Sequence, residues 1–154
     1  MNSVAFLVPG QPVPQGAMRP VVSGGRLRAV HKDEKRLRPW RDTVAWEAVH
    51  ARGARSVPFP KPWAVSLYAV FRMRRPQRPK APWPIVAPDL QHLVRAIEDA
   101  MSGILYDDDS QIVHLDARKE YVTPEQVPGV TIVVSGFPAD AQGLDCSEQI
   151  EVAE

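Results

Sequence analysis

Four aspartates near the middle of the chain are the residues whose type and spacing best suit a chemical site. Asp89 precedes a regular apolar pattern, and Asp107, Asp108 and Asp109 follow that pattern. Three adjacent carboxylates repel one another, and a divalent cation would remove that repulsion. Carboxylate oxygens are ligands that suit Mg²⁺ or Mn²⁺. These residues therefore form a candidate site for a hard divalent cation.

The same aspartates also admit a purely structural interpretation. Asp89 is placed to cap a helix, because an aspartate there accepts hydrogen bonds from free backbone N–H groups. Asp107–Asp109 is equally typical of a polar turn of the Asx type. The predicted helix between Asp89 and Asp107–Asp109 is about 20 Å long. Asp89 therefore meets the three later aspartates only if the next strand runs back along the helix. The spacing leaves both interpretations open.

The charged residues are distributed unevenly along the chain. The 154 residues carry 19 Lys and Arg against 18 Asp and Glu, a net charge of +1. Residues 15–80 hold 16 of the bases and four acids, residues 81–136 hold three bases and nine acids, and residues 137–154 add five acids. A basic half is typical of a protein that binds a polyanion, because clustered Lys and Arg release counterions from phosphates. Uneven surface charge without a partner is the alternative.

Composition excludes several classes of protein. A chain with 44% hydrophobic and 24% charged residues can bury a core, so a disordered or fibrous protein is excluded. No apolar run is long enough to span a bilayer, and Met1–Pro9 lacks the basic start of a signal peptide, so we expect a cytoplasmic protein of a bacterial cell. The single cysteine, Cys146, excludes an internal disulfide and a cysteine-based zinc cluster.

Two helices are predicted from apolar spacing. The clearer one has an apolar stripe from Leu90 to Ile104, begins after Asp89 and ends near Gly103. The other precedes it in the chain and is predicted to end near Ala51. Its start is left at either Asp33 or Pro39, since both are favoured at helix beginnings.

Four strands and two long loops complete the prediction. The strands are expected at Val4–Val8, Trp63–Met73, Gln111–Val122 and Val130–Ser135, and the loops at Gln11–Arg28, with a Gly24-Gly25 turn, and Arg74–Pro88. The order β-α-β-α-β-β predicts an α+β fold, a small mixed sheet covered by two helices. Residues 1–136 form the predicted domain, and residues 137–154 an acidic, disordered tail.

The central stretch resembles the signature of RusA-type Holliday-junction resolvases. Residues 88–103 have the sequence PDLQHLVRAIEDAMSG, and residues 106–113 have the sequence YDDDSQIV. The family pattern is approximately PDLDNLxKxxxDALxG, a short gap, and DDxQV. Residues 14–20, PQGAMRP, are similar to the family's early glycine–arginine loop. The resemblance extends over roughly residues 3–136.

This resemblance implies a homodimeric, Mg²⁺-dependent endonuclease, with Mn²⁺ as a substitute, that cuts four-way DNA junctions by paired phosphodiester hydrolysis. It implies catalytic roles for Asp89, Gln91, Arg95 and Asp109, and metal binding by Asp89, Asp108 and Asp109. Arg95 occupies the position of the family's helix lysine. The change from lysine to arginine keeps the positive charge but replaces a compact ammonium group by a planar guanidinium fork. Such proteins act in the bacterial cytosol and are often carried by phages.

The basic residues around this stretch are the predicted DNA-binding surface. They are Arg19, Arg26, Arg28, Arg74, Arg75, Arg78, Lys80 and Lys119. Lys119 is included because a basic residue commonly follows the DDxQ motif in the family. Loops this basic on both sides of a phosphodiester site favour contact with the DNA backbone.

One position departs from the family pattern. The second aspartate of the motif is Gln91, and the following asparagine is His92. A glutamine oxygen ligates a hard cation but brings no charge, so metal binding should weaken unless Asp108 compensates. Because of this departure, a second hypothesis for the function is a junction-binding protein with weakened or lost catalysis. A third is an interaction module whose basic loops bind its own acidic tail or a protein partner.

Overall fold

A four-stranded mixed sheet and two helices form the α+β domain that the sequence predicts. The computed structural model describes residues 2–54 and 56–141. The strands are β1 (Asn2–Pro9), β2 (Met18–Ser23), β3 (Arg26–His31), β4 (Ala64–Met73), β5 (Ile112–Tyr121) and β6 (Gly129–Phe137), and the helices are α1 (Glu34–Arg52) and α2 (Leu90–Met101). The sheet has the order β1-β6-β4-β5, while β2 and β3 form a separate two-stranded ribbon. No helix in these described ranges is long and apolar enough to cross a membrane.

The β2–β3 ribbon corrects the prediction of a loop over Gln11–Arg28. Its strands pair antiparallel from Met18 with His31 to Ser23 with Arg26, and the predicted Gly24-Gly25 turn is confirmed at its tip. Nearly every position of the ribbon is exposed. The alternation of apolar and polar residues that marks a half-buried strand is therefore missing from its sequence.

Helix α1 begins at the earlier of its two predicted starts. The carbonyl of Asp33 accepts hydrogen bonds from the N–H groups of Arg36 and Leu37, both at 2.9 Å. Pro39 lies inside the helix, where it costs one backbone hydrogen bond. Burial of Leu37 and Trp40 on either side of the proline explains why the helix continues through it.

The core lies between the helices and one face of the sheet. Val65, Leu67, Ala69 and Phe71 of β4 are fully or almost fully buried on the face predicted for them. Strand β6 continues to Phe137, which pairs with Ala64, one residue past the predicted end of the domain. Residues 142–154, which include Cys146 and most of the predicted tail, lie outside the described residues.

Strand β5 sets the position of the acidic turn relative to α2. Because β5 runs parallel to β4, it runs back along the helix that precedes it. At its far end, Lys119 Nζ donates to the carbonyl of Pro88, just before α2. At the other end of the helix, the hydroxyl of Tyr106 donates to the carbonyl of Glu98. The turn of Asp107–Asp109 thus lies beside the last turn of α2, and Asp89 lies at its first turn.

Candidate active site

A groove of about 730 Å³ lies between α2 and the edge strand β5. Gln91, Arg95 and Glu98 line its helical wall, and Leu115 and Ala117 line the strand side. The three helical residues share a face because they are spaced by four and three positions. The fold therefore brings together two of the predicted catalytic residues, Gln91 and Arg95.

Glu98 is the acidic residue of this groove wall, and the negative charge of Asp109 acts on it. The pKa of the half-buried Glu98 carboxyl is raised, first by its burial and then by the negative charges of Asp109 and Asp99, while Arg95 lowers it. The acidic turn therefore contributes Asp109 to the same region as the helical wall. Sequence reasoning missed Glu98, although its spacing from Arg95 and Gln91 on one helix would have identified it.

Asp99 is hydrogen-bonded to the loop that precedes the β2–β3 ribbon. The side-chain amide of Gln15 donates to the Asp99 carboxylate, and the Gln15 backbone N–H donates to the carbonyl of His92 at 2.9 Å. Gln15 is itself buried. These contacts fasten the base of the basic ribbon to α2, so the ribbon starts beside the helix that carries the candidate site.

Asp89 lies at the start of α2 with its carboxylate free of a capping role. Its backbone carbonyl accepts hydrogen bonds from the N–H groups of His92 and Leu93, but its side chain makes no capping hydrogen bond. The Asp89 side chain instead faces a cleft of about 370 Å³ that is also lined by His92, Lys32 and Arg36. The structure thus leaves the Asp89 carboxylate available for a ligand.

Lys119 holds the backbone that leads into Asp89. Its ammonium group donates to the carbonyls of Val86 and Pro88, each at 2.8 Å. Two of its three N–H donors are therefore used within the protein. The predicted role of Lys119 in DNA binding remains untested, and the structure gives this residue a positioning role at the beginning of α2.

Asp107 and Asp108 make structural contacts in the acidic turn. Asp107 Oδ2 accepts a hydrogen bond of 2.8 Å from the backbone N–H of Lys61. Asp108 Oδ1 accepts from the backbone N–H of Ser110 at 3.0 Å and from its hydroxyl. These two bonds, and then the charge of Lys61, lower the pKa of the Asp108 carboxyl. Asp108 thus makes the Asx-type contact of the structural interpretation, whereas the Asp107 contact is with a residue 46 positions away in the chain.

The donor types around the groove suit a hard divalent ion, but the predicted ligands do not converge. Among residues 2–54 and 56–141, no three His, Cys, Asp or Glu side chains are grouped so that they could hold a metal ion. Asp89 lies at the first turn of α2, whereas Asp109 lies beside Glu98 at the last turn. Burial, and then repulsion by Asp109 and Asp99, raises the pKa of Glu98, and a cation would relieve that repulsion.

The predicted DNA-binding arginines lie on two exposed segments. Arg19, Arg26 and Arg28 belong to the β2–β3 ribbon, and Arg74, Arg75, Arg78 and Lys80 belong to the segment between β4 and α2. All seven side chains are exposed. The segment from residue 74 to residue 88 contains no helix or strand, as its proline content predicts.

Comparison with known proteins confirms the family indicated by the central motif. Residues 9–135 match the model of the family described as Endodeoxyribonuclease RusA. The chain is also 27% identical over 143 residues to the uncharacterized protein YqaN of Bacillus subtilis (strain 168), which covers 87% of this chain and 96% of YqaN. The family match includes the groove, the acidic turn and the basic ribbon. The chain therefore belongs to the RusA endodeoxyribonuclease family.

Proposed function

We propose that this chain resolves four-way DNA junctions by paired, Mg²⁺-dependent hydrolysis of phosphodiester bonds. Family membership supports endonucleolytic activity on branched DNA. The observation that carries the proposal is the groove in which Arg95 and Glu98 lie on the same helix face, within the electrostatic influence of Asp109. We propose that the Arg95 cation binds the phosphate and that the carboxylates serve the hydrolytic step.

Arg95 binds the phosphate that is to be cut. Its guanidinium is exposed in the groove and can donate two parallel N–H bonds to phosphate oxygens. A planar fork of this kind fixes the orientation of the phosphate as well as its position. Arg95 also partly offsets the charge of Glu98, as its lowering effect on the pKa of that carboxyl shows.

A metal would be held at one end of α2, because the two ends are about 18 Å apart and one ion cannot reach both. Asp109 and Glu98 offer oxygens at the end of the helix, Asp89 offers a free carboxylate at its start, and Asp108 has Oδ2 outside its turn contacts. Gln91 adds an oxygen without charge. A bound Mg²⁺ supplies an activated water and offsets charge on the phosphate, and Mn²⁺ is expected to replace it.

A homodimer fits the symmetry of the substrate. A four-way junction has approximate two-fold symmetry and needs two cuts, which a dimer with one site per subunit supplies. We expect the dimer to bind the junction in a step that precedes cutting. The exposed arginines supply this binding, because they contact phosphates whatever the base sequence.

A nicking assay tests the proposal directly. The protein is incubated with a synthetic four-way junction and with a linear duplex of the same sequence, at increasing Mg²⁺ or Mn²⁺. We expect symmetric nicks in two opposite strands of the junction, none in chelator, and little cutting of the duplex. Equal cutting of duplex and junction would contradict structure selectivity, and cutting in chelator would contradict the metal requirement.

A junction-binding protein without cleavage is the second candidate. It is favoured by the neutral Gln91 in the groove wall and by the lack of a three-residue metal group among the described residues. The two candidates separate when a mobility shift and the nicking assay use the same junction. Tight binding with no nicks in either metal would select the binding protein.

A further inference from the structure

A second concave surface, which we call the arginine cleft, lies beside the cleft at Asp89. It has a volume of about 510 Å³ and is lined by Gln11, Arg36, Arg74, Arg75 and Pro76. None of the acidic residues within 2–54 and 56–141 lines it. Neither of the ion pairs found within residues 2–54 and 56–141 involves its three arginines. Three cations in one concavity, with no acid among its described lining residues, are suited to a polyanion.

Two arginines of this cleft are tied to regular elements of the fold, Arg36 as part of α1 and Arg75 by its contact with β5. Arg36 lies in the first turn of α1, where its backbone N–H donates to the carbonyl of Asp33 at 2.9 Å. The guanidinium of Arg75 lies 6.0 Å from the ring centroid of Tyr121 in β5, within the range of a cation–π interaction.

The arginine cleft also meets the cleft at Asp89. The side-chain oxygen of Gln11 accepts a bond of 3.4 Å from the backbone N–H of Arg74. Gln11 and Arg36 line both clefts, so the two surfaces are continuous at these residues. Lys32 adds a further base on the Asp89 side, against the acids Asp33 and Asp89.

We infer that Arg36, Arg74 and Arg75 bind successive phosphates of one DNA strand as it passes from Asp89 along this cleft. The inference rests on the proposed function and deepens it, because it assigns a path to the strand and a role to Arg36, which is not among the arginines predicted from sequence to bind DNA. Guanidinium groups are suited to this role because each can bind a phosphate through two N–H donors.

The test compares two arginines of the same helix. Arg38, two residues after Arg36, is also exposed, but it lines a different cleft together with the acids Glu34, Asp42 and Asp99. Arg36→Gln and Arg38→Gln therefore remove the same charge from opposite sides of one helical turn. Binding of a fluorescent synthetic four-way junction is measured in chelator over a range of salt concentrations, after thermal unfolding has shown that both variants are folded.

We expect Arg36→Gln to make the slope of log affinity against log salt shallower by about 0.9, the contribution of one phosphate contact. Affinity at low salt should fall several-fold. The triple variant Arg36→Gln, Arg74→Gln, Arg75→Gln should reduce the slope by about three times as much, and Arg38→Gln should leave it unchanged. A slope for Arg36→Gln equal to that of the wild type overturns the inference.

Neutral phosphates test the path itself. A single methylphosphonate is introduced in turn at each phosphate of the strand that leaves the cutting site. At the phosphate that Arg36 contacts, this change should weaken binding of the wild type. The same change should not weaken binding of Arg36→Gln, relative to the unmodified junction. If every such position weakens both proteins equally, Arg36 does not contact that strand and the inference fails. Wild-type protein that binds no junction would instead contradict the proposed function, so the two failures are distinguishable.

Discussion

Asp109→Asn is expected to slow junction cleavage by at least about 100-fold, the usual scale for losing one charge-stabilising group at a reaction centre. The substitution keeps the size of the side chain and removes its negative charge beside Glu98. That charge is needed to attract a divalent ion but repels DNA phosphate. We therefore expect binding in chelator to be unchanged or tighter, while single-turnover cleavage is almost lost.

Asp107→Asn is the matched control for this experiment. It lies in the same turn and loses the same charge, but its remaining amide oxygen still accepts the hydrogen bond from the Lys61 backbone. We expect cleavage within about twofold of the wild type, since exposed surface substitutions have small effects. If both variants cut equally slowly, the loss reflects the charge of the turn as a whole rather than a role of Asp109.

Asp89→Asn, measured in parallel, locates the reacting phosphate along α2. Asp89 and Asp109 lie at the first and last turns of this helix, which is about 18 Å long. If only Asp89→Asn loses activity, the reaction takes place at the cleft shared with His92 and Arg36. Normal cutting by both variants would mean that neither Asp89 nor Asp109 takes part in the reaction.

The fold was predictable where burial leaves a periodic trace in the sequence. Helix α2 carries apolar residues at helical spacing, and Leu93, Ile97 and Met101 are all fully buried. The β2–β3 ribbon leaves no such trace, because Val22 and Leu27 are more than 70% exposed. Its pairing depends on backbone hydrogen bonds and the glycine turn rather than on a buried face.

The site was predictable only as far as local spacing reaches. Gln91 and Arg95 share a groove wall because they are four positions apart on a helix. The roles of Asp107 and Lys119 depend on partners 46 and 31 positions away in the chain. No single-sequence pattern contains those contacts, so the sequence could not separate a structural aspartate from one free to bind a ligand.

Gln91→Asp is expected to lower the Mg²⁺ concentration for half-maximal cutting by about tenfold. A tenfold change corresponds to about 1.4 kcal/mol of additional metal binding, a modest gain for a new carboxylate in the groove wall. The substitution should not unfold the protein, because position 91 lies in the first turn of α2, where a negative charge is favourable. The measurement is the initial cleavage rate of a four-way junction over a titration of Mg²⁺, repeated with Mn²⁺.

Replacing Mg²⁺ by Mn²⁺ should raise the cleavage rate of the wild type more than that of Gln91→Asp. Oxygen and nitrogen donors bind Mn²⁺ more tightly than Mg²⁺, and this tighter binding offsets the missing charge. Gln91→Asn is the matched control, since it has the shape of aspartate without its charge. A lower Mg²⁺ requirement in Gln91→Asn as well would assign the effect to side-chain length. An unchanged requirement in Gln91→Asp, with a wild type that cuts well, would mean that Glu98 or Asp108 already supplies the missing ligand. If neither the wild type nor Gln91→Asp cuts a junction with either metal, the substitution at position 91 is not what limits the site, and the binding protein is the function that remains.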